Sequence, residues 1–168
     1  MIIIGERINT SIKAIRPAVE NMDAAAIQEV AVKQAEEGAH YIDVNCGTFP
    51  YKEPDLLKWL VNTVQEVTDL PLCIDSANPE ALRAALSVYK GAKPIINSVT
   101  AERKRFDSVF PLVKEFNTSI IALCMDDDGM PETAEQRVRI ADWLINTMTK
   151  GGVDINDIYI DPMVRPVS

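Results

Sequence analysis

Short apolar segments that each end in a polar side chain recur along this chain, and they constrain its fold more than any other feature. Each segment is too short for a helix and too continuously apolar for a half-exposed strand, so buried parallel strands explain them best. The segments cover residues 2–9, 41–45, 72–76, 94–98, 120–126 and 158–162. Since the carboxyl ends of parallel strands point the same way, the polar side chains should gather on one rim, where α/β folds bind ligands.

Between these segments, apolar residues recur with the spacing of one helix face, and we expect these faces to form the core. The stripes begin at Ile27, Leu57, Ala81, Phe106 and Ala134. The last stripe continues through Val138, Ala141, Ile145 and Met148. Asp23 and Asn78 are predicted helix caps, and Pro131 with Glu132 is predicted to open the last helix.

An alternation of strands and helices fits either an open doubly wound sheet or a closed barrel. The first strand runs into Glu6-Arg7-Ile8-Asn9 and not into a glycine-rich phosphate turn, and polar residues end every strand, which favours the barrel. A (β/α)8 TIM barrel normally needs about 250 residues, whereas the chain has 168. We therefore expect an α/β fold, a TIM barrel reduced to about six βα units, as a single domain over residues 1–168 that is an apparent truncation.

The charge of the chain narrows the classes of partner. A net charge of −8 argues against nucleic acid and anionic membranes, which both need a cationic surface. No secretion signal and no bilayer-spanning apolar stretch is evident, so a cytoplasmic location is expected. Cys46, Cys73 and Cys124 have no metal-binding spacing, so they are expected to be buried and reduced, and no metal site is predicted.

Three polar strand ends carry the strongest indication of a ligand. Asp75, Asn97 and Asp161 follow the third, fourth and sixth segments. A carboxylate accepts two parallel hydrogen bonds from a planar N–H/NH2 pair, and a neutral heterocycle such as a pterin or guanine offers that pair. Asn97 supplies a donor and an acceptor for a mixed ring edge. Each residue taken alone is more often a helix cap or turn former, and only the six polar strand ends together favour a binding role.

Further polar residues are candidate contacts on the same rim. They are Glu6, Asn9, Asp43, Asn45 and Ser98. Glu6 either binds a ligand or forms an ion pair with Arg7, and the sequence leaves both interpretations open.

The segments 5–9, 43–45, 73–76, 96–98 and 160–162 together resemble the methyltetrahydrofolate:corrinoid methyltransferases, a family that includes the folate domain of cobalamin-dependent methionine synthase. The resemblance covers the whole chain and implies a TIM barrel of the dihydropteroate synthase type. It implies that Asp75, Asn97 and Asp161 bind the pterin ring. It also implies an asparagine near N5 of the folate on a segment beyond Ser168, so the catalytic residue of this chain is unknown.

The resemblance implies methyl transfer between N5 of (methyl)tetrahydrofolate and the cobalt of a corrinoid (cobalamin) carried by a partner protein. The small-molecule folate would be the substrate, the direction of transfer is open, and a homodimer is conceivable. Two alternatives stay open: a dihydropteroate synthase-like pterin enzyme, and a pterin-binding fragment without catalysis.

Overall fold

The computed structural model describes residues 1–164. Each apolar segment forms a strand, as predicted, and the strands alternate with helices. The strands are β1 (Ile4–Asn9), β2 (Tyr41–Asn45), β3 (Leu72–Asp75), β4 (Ile95–Thr100), β5 (Ser119–Leu123) and β6 (Ile158–Asp161). The α-helices are α1 (Arg16–Glu20), α2 (Ala24–Glu36), α3 (Glu53–Gln65), α4 (Pro79–Leu86), α5 (Arg103–Glu115) and α6 (Ala134–Lys150).

Two compact units make up the chain, Met1–Ile95 and Ile96–Ser168. In the first unit, β2 pairs in parallel with both β1 and β3. The register places Asn9 opposite Asn45, and Asn45 opposite Asp75. The sequence-based expectation of a single domain over residues 1–168 stays a prediction.

The core of the first unit is built from the helix faces that the apolar periodicity predicted. On α3, Leu57, Leu60, Val61 and Val64 have no exposed surface. Burying one such side chain stabilises a fold by about 1.5–3 kcal/mol. This helix therefore anchors the loops at its ends firmly, including the loop that enters it from β2.

Helix caps in the first unit follow the sequence prediction. The Asp23 side chain accepts a hydrogen bond from the Ala26 backbone at 3.1 Å, and Asn78 accepts one from the Glu80 backbone at 3.0 Å. Both bonds satisfy N–H groups that the first helical turn leaves unpaired. The two caps are thus confirmed.

The predicted start of the last helix is wrong. α6 begins after Thr133, whose hydroxyl accepts from the Gln136 backbone at 3.2 Å while the Gln136 side chain accepts from the Thr133 backbone at 3.1 Å. This reciprocal capping box satisfies two backbone donors at once. Pro131 and Glu132 cannot match it and precede the helix.

In the second unit, β5 and β6 pair in parallel, with Leu123 opposite Asp161. The predicted core face of α6 is partly wrong, because Val138 is 60% exposed. The buried face carries Ile140, Leu144 and Met148, which share the same four-residue spacing. Two apolar stripes overlap on this helix, so periodicity alone could not choose between them.

No helix that the structure describes within residues 1–164 combines the length and the apolar character needed to cross a membrane.

Candidate functional site

The aligned ends of β2 and β3 are joined by a side-chain hydrogen bond. Asn45 Nδ2 donates to Asp75 Oδ2 at 2.7 Å. The other end of the same amide, Asn45 Oδ1, accepts from the Gly47 backbone at 3.0 Å. Because both ends of the amide are engaged, Asn45 has a fixed orientation and presents a donor to Asp75.

The end of β1 is tied to this pair through the backbone. Thr10 N–H donates to the Asn45 carbonyl at 3.2 Å. Asn9 Oδ1 accepts from the Ser11 backbone at 2.9 Å and from the Ser11 hydroxyl, which closes a local turn. The first unit therefore brings three of the predicted site residues, Asn9, Asn45 and Asp75, to neighbouring positions.

Asp43 lies deeper than these residues. It sits opposite Cys73 in the register and is only 1% exposed. Burial raises the pKa of the Cys73 thiol, and the Asp43 charge and a hydrogen bond to Asp43 raise that pKa further. Asp43 thus has a buried partner within the sheet, and its contact with a ligand stays a prediction.

Glu6 and Arg7 are both exposed in β1, beside an irregularity in its pairing between Gly5 and Ile8. Within the described part of the chain they do not form an ion pair with each other, so that interpretation of Glu6 is not supported. The Arg7 backbone instead donates to Gln34 Oε1 at 2.8 Å. Glu6 remains a candidate ligand contact.

Sequence reasoning missed a buried acid next to the Asn45–Asp75 pair. Glu53, the first residue of α3, is 5% exposed, and its Oε1 accepts from the Ser76 hydroxyl at 2.6 Å. An acid in the first turn of a helix is favourable on charge grounds alone, so it reads as ordinary from sequence. The only indication in the sequence was Ser76, the bonding partner of Glu53, which directly follows the predicted site residue Asp75.

The cysteines behave as expected from sequence: all three are free and buried. Burial raises the pKa of the Cys46 thiol to about 12, and the nearby charges of Glu53 and Asp75 add to the shift. Cys46, directly after β2, is therefore buried close to two carboxylates.

In the second unit, Asn97 and Ser98 are adjacent and half-buried in β4. The Ser98 carbonyl accepts from Arg105 Nη2 at 2.6 Å, which holds the strand to the start of α5. Both candidate residues thus lie on a strand that a hydrogen bond from Arg105 connects to α5.

Asp161 is the exposed last residue of β6. Its Oδ1 accepts from the Met163 backbone at 2.7 Å, and its carbonyl accepts from the Cys124 backbone at 2.9 Å. The loop that follows is held by Arg137, whose Nε donates to the Pro162 carbonyl at 2.9 Å. The carboxylate therefore keeps acceptor capacity on a loop with a fixed path.

In each unit taken by itself, the side chains at the strand ends are suited to recognising a ligand and not to bond-making. These side chains are carboxylates and amides, and they can accept from, and donate to, the edge of a planar polar ring. Within residues 1–164, no group of three or more His, Cys, Asp or Glu residues is placed to hold a metal ion.

Two known proteins are similar in sequence to this chain. Over its whole length the chain is 40% identical to a methylcorrinoid:tetrahydrofolate methyltransferase of Eubacterium limosum, and it spans 62% of that protein. It is 32% identical to a methionine synthase of Mycobacterium tuberculosis, of which it spans 15%.

Solved structures show the same fold. A dihydropteroate synthase of Xanthomonas albilineans matches 96% of this chain with a TM-score of 0.72 and 24% identity, and 59% of that protein is covered. A Vibrio fischeri 7,8-dihydropteroate synthase matches 96% of the chain, with 60% of its own length covered, at a TM-score of 0.67 and 19% identity. The predicted α/β, TIM-barrel-like fold is thus confirmed, and residues 1–164 contain six strands that alternate with helices.

The family described as "Pterin binding enzyme" matches residues 5–166. That match takes in every predicted site residue, from Glu6 to Asp161. The chain belongs to the family of pterin-binding enzymes.

Proposed function

We propose that this chain binds the pterin ring of a folate and takes part in methyl transfer between N5 of tetrahydrofolate and the cobalt of a corrinoid protein. The observation that carries the proposal is the 40% identity, over the full chain, to a methylcorrinoid:tetrahydrofolate methyltransferase. The fixed Asn45–Asp75 pair at the strand ends supports it, because it presents a carboxylate in a defined direction.

Asp75, Asn97 and Asp161 are the residues proposed to bind the pterin. The proposed contact is a pair of parallel hydrogen bonds from the N–H/NH2 edge of the pterin to a carboxylate, the same pairing that a carboxylate makes with arginine. The carboxylates of Glu53 and Asp75 near the end of β2 favour a neutral ring rich in donors over an anionic ligand.

These residues would bind and orient the folate, and none of them has to act as a nucleophile. They would accelerate the transfer by holding the N5–methyl bond in line with the cobalt. Their hydrogen bonds would adjust the charge distribution of the pterin ring. The cobalt that gives or takes the methyl group belongs to the corrinoid protein, a large partner that needs an open approach to the folate. The direction of transfer stays open, and a homodimer and a cytoplasmic location stay predictions.

Two coupled measurements test the proposal. Titration calorimetry should detect binding of tetrahydrofolate under anaerobic conditions. Incubation with methyltetrahydrofolate and Co(I) cobalamin should then form methylcobalamin, followed by its absorption spectrum, and methylcobalamin with tetrahydrofolate tests the reverse direction. If the protein neither binds tetrahydrofolate nor transfers a methyl group in either direction, the proposed function is refuted.

The alternatives predict different results. A dihydropteroate synthase-like enzyme would condense a pterin pyrophosphate with 4-aminobenzoate and release pyrophosphate, which a coupled phosphate assay measures. A pterin-binding module without turnover would bind tetrahydrofolate and transfer no methyl group.

A further inference from the structure

Glu53 is a buried acid whose charge is stabilised on two sides. It is the first residue of α3, where the helix dipole favours a negative charge, and it accepts from the Ser76 hydroxyl at 2.6 Å. A hydrogen bond to a buried carboxylate is short and stronger than one between neutral groups. Ser76 is itself 2% exposed, so water does not compete for this bond.

The Ser76 hydroxyl also accepts a hydrogen bond, from the Asn78 backbone at 2.9 Å. Asn78 in turn caps α4 through its side chain. Ser76 therefore connects the start of α3 with the start of α4. The residue directly before Ser76 is Asp75, so this connection fixes the backbone that carries the Asp75 carboxylate.

The same acid also borders the loop after β2. Cys46 Sγ lies 3.7 Å from the Glu53 carbonyl, and a Cβ placed on Gly47 would lie 3.6 Å from Asn45 Oδ1 and 3.9 Å from Glu53 Oε1. The loop after β2 thus runs beside Glu53 and is joined to its backbone through Cys46, while Ser76 bonds to its carboxylate.

From these contacts we infer that Glu53 is a positioning residue for pterin binding, acting through Ser76 on Asp75 and so on the bond between Asp75 and Asn45. This inference rests on the proposed function for its ligand. Glu53 touches no reacting atom in this role. Its effect is to keep the Asn45–Asp75 bond in one geometry before the ligand arrives, so that less ordering is left to binding.

Glu53→Ala, Glu53→Gln and Ser76→Ala test the inference, with Asp55→Ala as the matched control. Asp55 is an exposed acid in the same first turn of α3, so its loss removes the same charge from the helix end without touching Ser76. We expect Glu53→Ala and Ser76→Ala each to weaken tetrahydrofolate binding about tenfold, Glu53→Gln to weaken it less, and Asp55→Ala to leave it unchanged.

A merely structural role would give a different pattern in a double-mutant cycle. If Glu53 acts through Asp75, Glu53→Ala should cost little further affinity in an Asp75→Ala background, because the group it positions is already gone. An equal loss of affinity in both backgrounds would overturn the inference. Thermal unfolding of each variant separates loss of fold from loss of geometry, and Ser76→Ala replaces Glu53→Ala if the latter does not fold.

A second readout needs no ligand. The 15N resonance of the Asn45 side-chain amide reports its bond to Asp75. It should move in Glu53→Ala and Ser76→Ala and stay in place in Asp55→Ala. An unmoved resonance in both variants overturns the inference even if folate binding is normal. If the unmodified protein binds no folate, the proposed function fails, while this resonance still decides whether Glu53 positions the pair.

Discussion

Replacing Asp75 by asparagine changes one oxygen to a nitrogen and should damage ligand binding far more than folding. The Asn45 amide is held by the Gly47 backbone at 3.0 Å, so its Nδ2 points at residue 75 as a donor. In Asp75→Asn, the new side chain must therefore turn its oxygen toward Asn45. Its NH2 group is then directed to where a pterin donor would lie.

Two donors facing each other leave a hydrogen bond unmade. An unsatisfied polar group costs about 1–3 kcal/mol, and the bond that is lost was charge-assisted. A central value of about 2 kcal/mol corresponds to about thirtyfold weaker binding. Folding should change little, because the Asn45 bond survives as a neutral one worth about 0.5–1.5 kcal/mol.

Anaerobic titration calorimetry with tetrahydrofolate measures the effect, and urea unfolding reports the stability of each variant. Asp69→Asn is the matched control, since Asp69 is an exposed aspartate before the opposite end of the same strand, β3. The control should bind as the unmodified protein does. An Asp75→Asn protein that is folded and binds within about twofold of the control would refute the reasoning about Asn45 and Asp75.

Three further outcomes follow from the structure. Asp161→Asn should weaken tetrahydrofolate binding about fivefold, less than Asp75→Asn because Asp161 is exposed, and unchanged calorimetric affinity would count against its role. Burial raises the pKa of Cys46 from its ordinary value of 9.0 to about 12 in the folded protein. The stability that this thiol contributes is therefore complete below pH 9 and falls by about 1.4 kcal/mol per pH unit above it. Urea unfolding at pH 8 and pH 10 should show a smaller fall in unfolding free energy for Cys46→Ala than for the unmodified protein. Thr133→Ala removes the α6 cap and should cost about 1 kcal/mol of unfolding free energy, whereas Thr149→Ala near the other end of α6 is the comparison that keeps the cap.

The strands could be predicted because burial on both faces leaves a continuous apolar segment that helices do not imitate. The short helix α1 was not predicted, because Arg16–Glu20 contains only one buried residue, Val19, and shows no apolar stripe. The face of α6 was misjudged for the opposite reason: Val138 and Ile140 begin two overlapping stripes, and packing against neighbours decides between them.

The candidate site also has parts that the sequence predicts and parts that it does not. Asn45 and Asp75 could be placed at the ends of parallel strands from sequence, but their mutual hydrogen bond depends on register, which local sequence does not specify. The role of Glu53 could not be predicted from local sequence, because its partner Ser76 lies 23 residues away. A contact of that kind appears only once the βα unit has closed.

The register of β1, β2 and β3 also sets the length of the row of polar residues at their ends. Asn9, Asn45 and Asp75 occupy matching positions on three adjacent strands, and adjacent strands lie about 4.8 Å apart, so the row is about 10 Å long. A fused two-ring heterocycle matches that length, whereas a single ring reaches only two of the three positions. If the proposed pterin lies along this row, a fragment such as a lone aminopyrimidinone should bind disproportionately weakly, because it cannot reach from Asn9 to Asp75.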